Sequence, residues 1–334
     1  MPGSWTKTKP LPGGRWEHTA TRLVDGRVLV VGGRRGSKVV EGSCVYDPTT
    51  RAWTEAARPA HPRHEHAATL LHDGRVLIAG GRAKDVLARE AEVFDPATGR
   101  WSSVGETRVD RVSPFLFAEG DRVWLLGGNG LSDLQAESLC GGGWEMNAPW
   151  PARLWGFDAA PLPSGDVLVL GGTMATTRQL WLWTPRSGTV QPAGELGVSR
   201  GSAPAVGLGD GRVLITGGEE GGSPPSAHAS CELWDGALGR CVPTGSLSGT
   251  RTGHRTTRLA DGRVLVTGGR SSLVGELLAS AEVWDPATGA WSDAGSLAKP
   301  VTGHTATLLA TGEVLVAGGG GAGPAVAVSQ LWTG

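Results

Sequence analysis

Seven short apolar runs recur along the chain: VLVV at 28–31, VLIA at 76–79, VWLL at 123–126, VLVL at 167–170, VLIT at 213–216, VLVT at 264–267 and VLVA at 314–317. None alternates with polar residues, so each predicts a strand covered on both faces. A glycine doublet closes every run, at Gly32-Gly33, Gly80-Gly81, Gly127-Gly128, Gly171-Gly172, Gly217-Gly218, Gly268-Gly269 and Gly318-Gly319. Successive doublets lie 48, 47, 44, 46, 51 and 50 residues apart. A period near fifty with a constant apolar run predicts one supersecondary unit repeated, as in the blades of a propeller.

The remaining strands follow from this frame. The first strand of each repeat begins at His18, His66, Pro114, Phe157, Ala203, His254 or His304. Each of these anchors stands 13 residues after a candidate fourth-strand residue: Trp5, Trp53, Trp101, Trp144, Val190, Cys241 and Trp291. One spacing held throughout gives one crossover length between blades, which identical stacking of neighbours requires. Asp-Gly pairs such as Asp25-Gly26 and Asp73-Gly74 predict a type I′ hairpin between the first two strands. The third strand ends at Tyr46, Phe94, Trp183, Trp234, Trp284 or Trp332, with Leu139 as the one aliphatic. Turns such as Asp95-Pro96-Ala97-Thr98-Gly99 then lead into the fourth strand, proline setting φ early and glycine taking the left-handed position.

The pattern resembles the kelch repeat. In that family an arginine and a histidine precede the first strand, two glycines close the second, and an aromatic-Asp-Pro ends the third. Arg63, His66, Gly80-Gly81 and Phe94-Asp95-Pro96 match in turn. Gly253-His254 followed by Trp284-Asp285 imitates a WD repeat, but seven doublets favour kelch, and both families form propellers. The expected fold is all-β, a seven-bladed β-propeller of four-stranded antiparallel blades. Residues 1–334 form a single kelch-type propeller in this reading, with blade seven composed of 304–334 plus 1–10. The last repeat stops one strand short, and pairing the N-terminal strand with the C-terminal strands supplies it and removes an exposed edge.

Composition narrows the function. Lys+Arg 31 against Asp+Glu 32 gives a net charge of −1, which argues against a nucleic-acid partner. No apolar run approaches the roughly 20 residues a membrane span needs, and no charged-then-apolar leader opens the chain. The four cysteines follow neither zinc nor disulfide spacing, so a reduced, cytoplasmic setting and a monomer without cofactor are expected.

Charge and length variation both point to one face. From the second glycine of the doublet to the next fourth-strand residue the distance runs 20, 20, 16, 18, 23 and 22. Variation of this kind maps to loops on one face of a repeat protein, often the binding face. The eight residues before each anchor and the eight after each doublet together hold 17 basic and 11 acidic residues. Within them Arg15, Arg63, Arg111, Arg200 and Arg251 lie three residues before an anchor, while Arg34, Arg82 and Arg270 directly follow a doublet. In kelch domains that this chain resembles and that hold acidic peptides, arginines at both positions clasp carboxylates. The planar two-pronged guanidinium suits that task. The first set also belongs to the general kelch pattern and has a structural alternative, tying adjacent blades. Trp16 and Trp155, two residues before an anchor, would join the arginines as contact residues or cap the space between blades.

The reading is therefore a binding module for an acidic peptide, protein segment or small anionic ligand. Its alternative is a small-molecule enzyme of isomerase or lyase type, acting on a carboxylated substrate as the similar kelch-type mutarotases do. Glu17 and Glu65, with His18, His66 and His304, would then carry proton transfer. A weaker alternative joins His18, His66, His254 and His304 at a metal, against their structural use in kelch repeats. Copper radical oxidase chemistry is excluded: it needs two tyrosines, and Tyr46 is the only one.

Overall fold

The computed structural model describes residues 3–84, 86–128, 135–152, 154, 156–171, 178–221, 226–321 and 324–334. The protein is all-β, with seven four-stranded antiparallel blades in a ring, a seven-bladed β-propeller. Among the described residues no helix is long and apolar enough to cross a membrane.

The chain divides into two compact units. One contains Thr6–Pro149 and Gly303–Thr333, and the other Trp150–Thr302 with Met1–Trp5 and Gly334. In the first, blade one is formed by Thr19–Arg22, Val28–Val31, Ser43–Asp47 and Ala52–Ala56. Blade two is Ala67–Leu70, Val76–Ala79, Glu90–Asp95 and Arg100–Glu106. Blade three is Phe115–Glu119, Arg122–Leu126, Gln135–Cys140 and Gly143–Pro149. Blade seven combines Thr305–Leu308, Val314–Ala317 and Ser329–Thr333 with the N-terminal strand Ser4–Lys7, which pairs with Ser329–Thr333. In the second unit, blades four, five and six begin at Asp158–Pro161, Ala205–Gly207 and Arg255–Arg258.

The apolar runs are the second strands, and nearly all of their residues are fully buried, as continuous hydrophobicity requires. The third-strand aromatics face the fourth-strand residues directly: Tyr46 opposes Trp53, Phe94 opposes Trp101, and Trp284 opposes Trp291. The first two pairs meet tilted, with ring centroids 5.1 Å apart for Tyr46 and Trp53 and 5.2 Å for Phe94 and Trp101. Aromatic side chains of this size add a large apolar area to a core.

The first hairpin differs from expectation. Gly26 has φ +88°, but Asp25 keeps a negative φ, so the turn is not type I′. Leu23 N–H donates to Arg27 O and Gly26 N–H to Leu23 O, which makes a three-residue loop with glycine at the bulge. The Asp25 carboxylate accepts from Arg27 N–H and Nε, at 3.0 and 2.7 Å, a reason for aspartate there other than positive φ. The Asp95–Gly99 turn is as expected, with Gly99 at φ +68° and its N–H on Asp95 O.

The doublets have a steric cause. Gly33 N–H donates to Arg63 O and Gly81 N–H to Arg111 O, each on the following blade. A Cβ on Gly81 would lie 2.5 Å from His64 O and 2.9 Å from His66 Cβ. Glycine there lets the crossover segments pass against the end of the second strand.

Candidate functional site

The crossover segments and the loops after the doublets meet at one end of the blades. Trp16 and Arg34 exchange backbone hydrogen bonds, and so do His64 and Arg82, Gly201 and Glu219, and Thr252 and Arg270. In blades one, two and five the loop then folds into a small two-stranded ribbon, as in Arg34–Arg35 with Lys38–Val39 and Arg82–Ala83 with Val86–Leu87. In these four blades the backbone thus places the residue after the doublet beside the residue two before the anchor.

The residue between that position and the anchor takes the left-handed conformation in every blade. These residues are Glu17 (φ 56°), Glu65 (54°), Ser113 (52°), Gly156 (59°), Ser202 (48°), Gly253 (62°) and Gly303 (61°). Their backbones form a chain of hydrogen bonds: Glu17 N–H to Gly303 O, Glu65 N–H to Glu17 O and Ser113 N–H to Glu65 O in one unit, Ser202 N–H to Gly156 O in the other. Glycine suits this position and takes it three times. Glutamate there costs roughly 1–2 kcal/mol, yet it occupies two neighbouring blades.

Those two glutamates form the densest charged cluster of the face. Arg34 pairs with Glu17: Nη2 donates to Oε1 at 3.1 Å, and Nε lies 2.6 Å from Oε2 as an ion-pair contact without hydrogen-bond geometry. Its guanidinium also lies 3.8 Å over the Trp16 ring. His64 Nδ1 stands between the carboxylates, 3.1 Å from Glu17 Oε2 and 3.4 Å from Glu65 Oε2. Arg82 Nε is 3.4 Å from Glu65 Oε2, and its side chain is 47% exposed against 30% for Arg34. Burial would raise the Glu17 carboxyl, but hydrogen bonds from His64 and Arg34 together hold it below its ordinary value. Burial and the neighbouring Glu17 charge push Glu65 upward, against the attraction of His64 and Arg82. Two adjacent carboxylates are therefore driven apart.

The first arginine set is placed differently from the expectation of ligand contact. Arg15, Arg63, Arg111, Arg200 and Arg251 are between 0 and 4% exposed. Each donates to the carbonyl of the first doublet glycine of its own blade, as Arg63 Nη1 does to Gly80 O and Arg251 Nη1 to Gly268 O. Four of them also pair with a buried third-strand glutamate: Arg63 with Glu92, Arg111 with Glu137, Arg200 with Glu232 and Arg251 with Glu282. These glutamates in turn accept backbone N–H groups of the crossover, Glu92 from Ala60 and His61. The charges are spent inside the blades, so this set does not face a ligand.

The anchor histidines are also interior. His18, His66, His254 and His304 are at most 6% exposed. His18 Nε2 meets Thr305 Oγ1 at 3.1 Å, His66 Nε2 meets Thr19 Oγ1 at 2.9 Å, and His254 Nε2 meets Thr216 Oγ1 at 2.8 Å, each hydroxyl on the preceding blade. Burial lowers His66 to about 3, so it stays neutral. The imidazoles of His18, His66 and His254 thus join neighbouring blades. Among the described residues the one group of side chains close enough for shared ligation is Glu17, His64 and Glu65, and there Arg34 and Arg82 already engage the carboxylates.

Trp16 is half-buried, packed between Arg34, Gly303 and Gly320. Trp155 lies outside the described residues. Arg270 is half-buried beside Thr252, and Glu219 holds the equivalent position in blade five, where Ser202 and Thr252 hydroxyls donate to it at 3.3 and 3.4 Å. His64 was not among the sequence candidates. Its signal was its frame position, the one Trp16 holds a blade earlier.

The family model described as the Kelch motif matches residues 63–107 and 251–298. Together with the seven four-stranded blades, these two matches are consistent with a kelch-repeat family. No curated protein matches its sequence. The fold is similar to that of a fungal alcohol oxidase of the AA5 family solved in complex with copper, with a TM-score of 0.80. Identity is 18%, and the match covers all of this chain and 76% of that one. The donor set here does not fit a copper radical centre. The lone tyrosine, Tyr46, is wholly buried against Trp53 in blade one, and the anchor histidines are bonded between blades.

Proposed function

We propose that residues 1–334 act as one binding domain that holds an anionic ligand, the carboxylate of an acidic peptide, protein segment or small molecule, at Arg82 beside the Trp16–Arg34 stack. A binding module is what a kelch propeller suggests in general. The difference between two equivalent arginines supports the ligand class. Arg34 is locked onto Glu17 at 2.6 Å, whereas Arg82 is half exposed and touches Glu65 only at 3.4 Å, so its remaining donors are open. The four cysteines are free, in keeping with a reducing, cytoplasmic setting. The test is Arg82→Ala against a glutamate-rich peptide. Losing a charge-assisted bond of about 1.5–3 kcal/mol weakens binding roughly 10- to 100-fold, with melting unchanged. Unaltered affinity rejects the site.

A second reading rests on the separated carboxylates. With Glu17 held ionised and Glu65 pushed upward, the pair has the character of an acid–base couple bridged by His64. In this reading the same face turns over a carboxylated substrate by proton transfer, an isomerase- or lyase-type reaction. Glu65→Gln then retains ligand affinity and loses turnover. Equal turnover in the variant removes this reading and leaves the first intact.

A further inference from the structure

Two adjacent crossovers bring three donor atoms together. Glu17 Oε2, His64 Nδ1 and Glu65 Oε2 lie within 4.8 Å of one another. His64 Nδ1 is 3.1 Å from Glu17 Oε2 and 3.4 Å from Glu65 Oε2. Zinc bound at about 2.0–2.1 Å in a tetrahedron holds its ligand atoms about 3.3–3.4 Å apart. Both separations are close to an edge of that tetrahedron.

A second observation concerns Glu65. Its side chain is 26% exposed, and among the described residues its carboxylate accepts no hydrogen bond; His64 Nδ1 and Arg82 Nε each stop 3.4 Å away. A proton on His64 Nδ1 can serve one of the two carboxylates, and the hydrogen bond of that nitrogen goes to Glu17 Oε2. Burial, and after it the Glu17 charge, push the Glu65 carboxyl upward. A largely buried carboxylate beside another is stabilised by a cation set between them.

The scaffold holds the donors in place. Glu17 N–H is bonded to Gly303 O and Glu65 N–H to Glu17 O, while His64, 7% exposed, exchanges backbone bonds with Arg82. Little side-chain freedom remains to be lost on binding. Arg34 Nη2 donates to Glu17 Oε1, which orients the carboxylate with Oε2 toward His64, as outer partners of ligating carboxylates do. Arg82 is the competing cation. Its side chain is 47% exposed and is not hydrogen-bonded to Glu65, so it can turn to solvent.

We propose that Glu17, His64 and Glu65 form a binding site for a divalent transition-metal ion, zinc by its mixture of imidazole and carboxylate donors. Two carboxylates balance the two charges of the ion, and the departure of Arg82 removes a cation that would oppose it. Three protein ligands leave a fourth position open to solvent or to a ligand. The site shares Glu65 with the arginine site but does not depend on what Arg82 binds.

The probe is zinc chloride alone, titrated by calorimetry into the full chain after treatment with a chelator. The expected result is one equivalent bound, with affinity at least roughly tenfold weaker in His64→Ala and in Glu65→Gln. Glu65→Gly repeats the Glu65 test in a variant relieved of its left-handed strain, should the glutamine variant fold poorly. Arg82→Ala binds zinc at least as tightly as the wild type, so loss of an acidic peptide in that variant is read separately from the ion. His61→Ala with His72→Ala removes two exposed imidazoles and leaves zinc affinity unchanged. No saturable zinc binding by the wild type, equal affinity in the Glu65 variants, or loss of binding in the His61 and His72 double variant overturns the proposal.

Discussion

Replacing Arg63 by alanine separates the two uses of arginine in this chain. Arg63 is fully buried and makes three bonds: Nε to His61 O at 2.9 Å, Nη1 to Gly80 O at 3.3 Å and Nη2 to Glu92 Oε1 at 2.8 Å. Its removal leaves Glu92, 2% exposed, as a buried carboxylate held by the Ala60 and His61 backbone N–H groups, with the His61 Nδ1 3.7 Å away. Breaking a buried ion pair from one side costs about 3–5 kcal/mol, chiefly through the charge left behind. For 334 residues at about 2.1 cal/mol/K each, the unfolding entropy is roughly 0.7 kcal/mol/K, so Tm falls by about 4–7 °C. Calorimetry of Arg63→Ala, of Arg63→Met, Glu92→Gln and their double variant, and of Arg82→Ala makes a closed comparison. The double variant removes both charges but keeps an oxygen for the two N–H groups, so it recovers much of the loss. Arg82→Ala, on the surface, does not move Tm. A drop below about 2 °C for Arg63→Ala, or a double variant as unstable as the summed singles, refutes the blade-tying role.

Two further outcomes follow from the same geometry. Gly81→Ala places a Cβ 2.5 Å from His64 O at φ +92°, whereas Gly36→Ala meets nothing within 4 Å at φ +59°. Backbone strain of about 1–2 kcal/mol applies to both and overpacking of about 1–3 kcal/mol only to the first. Gly81→Ala therefore melts several degrees below Gly36→Ala, and equal melting would show that the doublet is not a packing requirement. Asp158, at the start of blade four, keeps part of its surface open to water, yet the surrounding protein pushes its carboxyl up to about 6, opposed by the Ala205 and Ala159 N–H groups and by Arg255. A carboxyl raised by folding favours the folded state when protonated. Its contribution is complete below the ordinary value near 3.8 and lost as pH rises through about 6. The Tm difference between Asp158→Asn and the wild type should thus move in favour of the variant from pH 4 to pH 7; a constant difference contradicts it.

The blades were legible in the sequence because their determinants are local and periodic. A run such as VLVT between an Asp-Gly turn and a glycine doublet admits one place in a blade, and the doublet's cause, the passage of the next crossover, repeats with it. The two arginine sets were legible as positions but not as roles. Arg63 and Arg82 lie 19 residues apart with similar neighbours, and only the third-strand Glu92, which turns inward beside Arg63, distinguishes them. Burial of a charge depends on which partner shares its cavity, and spacing along one chain does not report that. The hairpin was misread for a related reason. Asp-Gly serves equally a turn with two positive φ values and a bulged loop where aspartate caps the next N–H, and the choice rests on the loop length that the twist of the blade accepts.

The left-handed position before each anchor joins fold and site. It exists because seven crossovers must turn at the same point, and glycine at Gly156, Gly253 and Gly303 shows what the backbone alone prefers. Glutamate at Glu17 and Glu65 departs from that preference in adjacent blades, beside arginines at the equivalent loop positions and with one histidine between the carboxylates. Packing does not require either side chain, since the other blades close with serine or glycine. In the proposed binding role the conformational cost is offset by what the carboxylates do for their neighbours: Glu17 pairs with the Arg34 that lies over Trp16, and Glu65 stands 3.4 Å from Arg82. If Glu65→Gly raised Tm by a degree or so and left binding of an acidic peptide unchanged, the strain would have no such function, and the charged cluster would be no more than an ion pair on a tight turn.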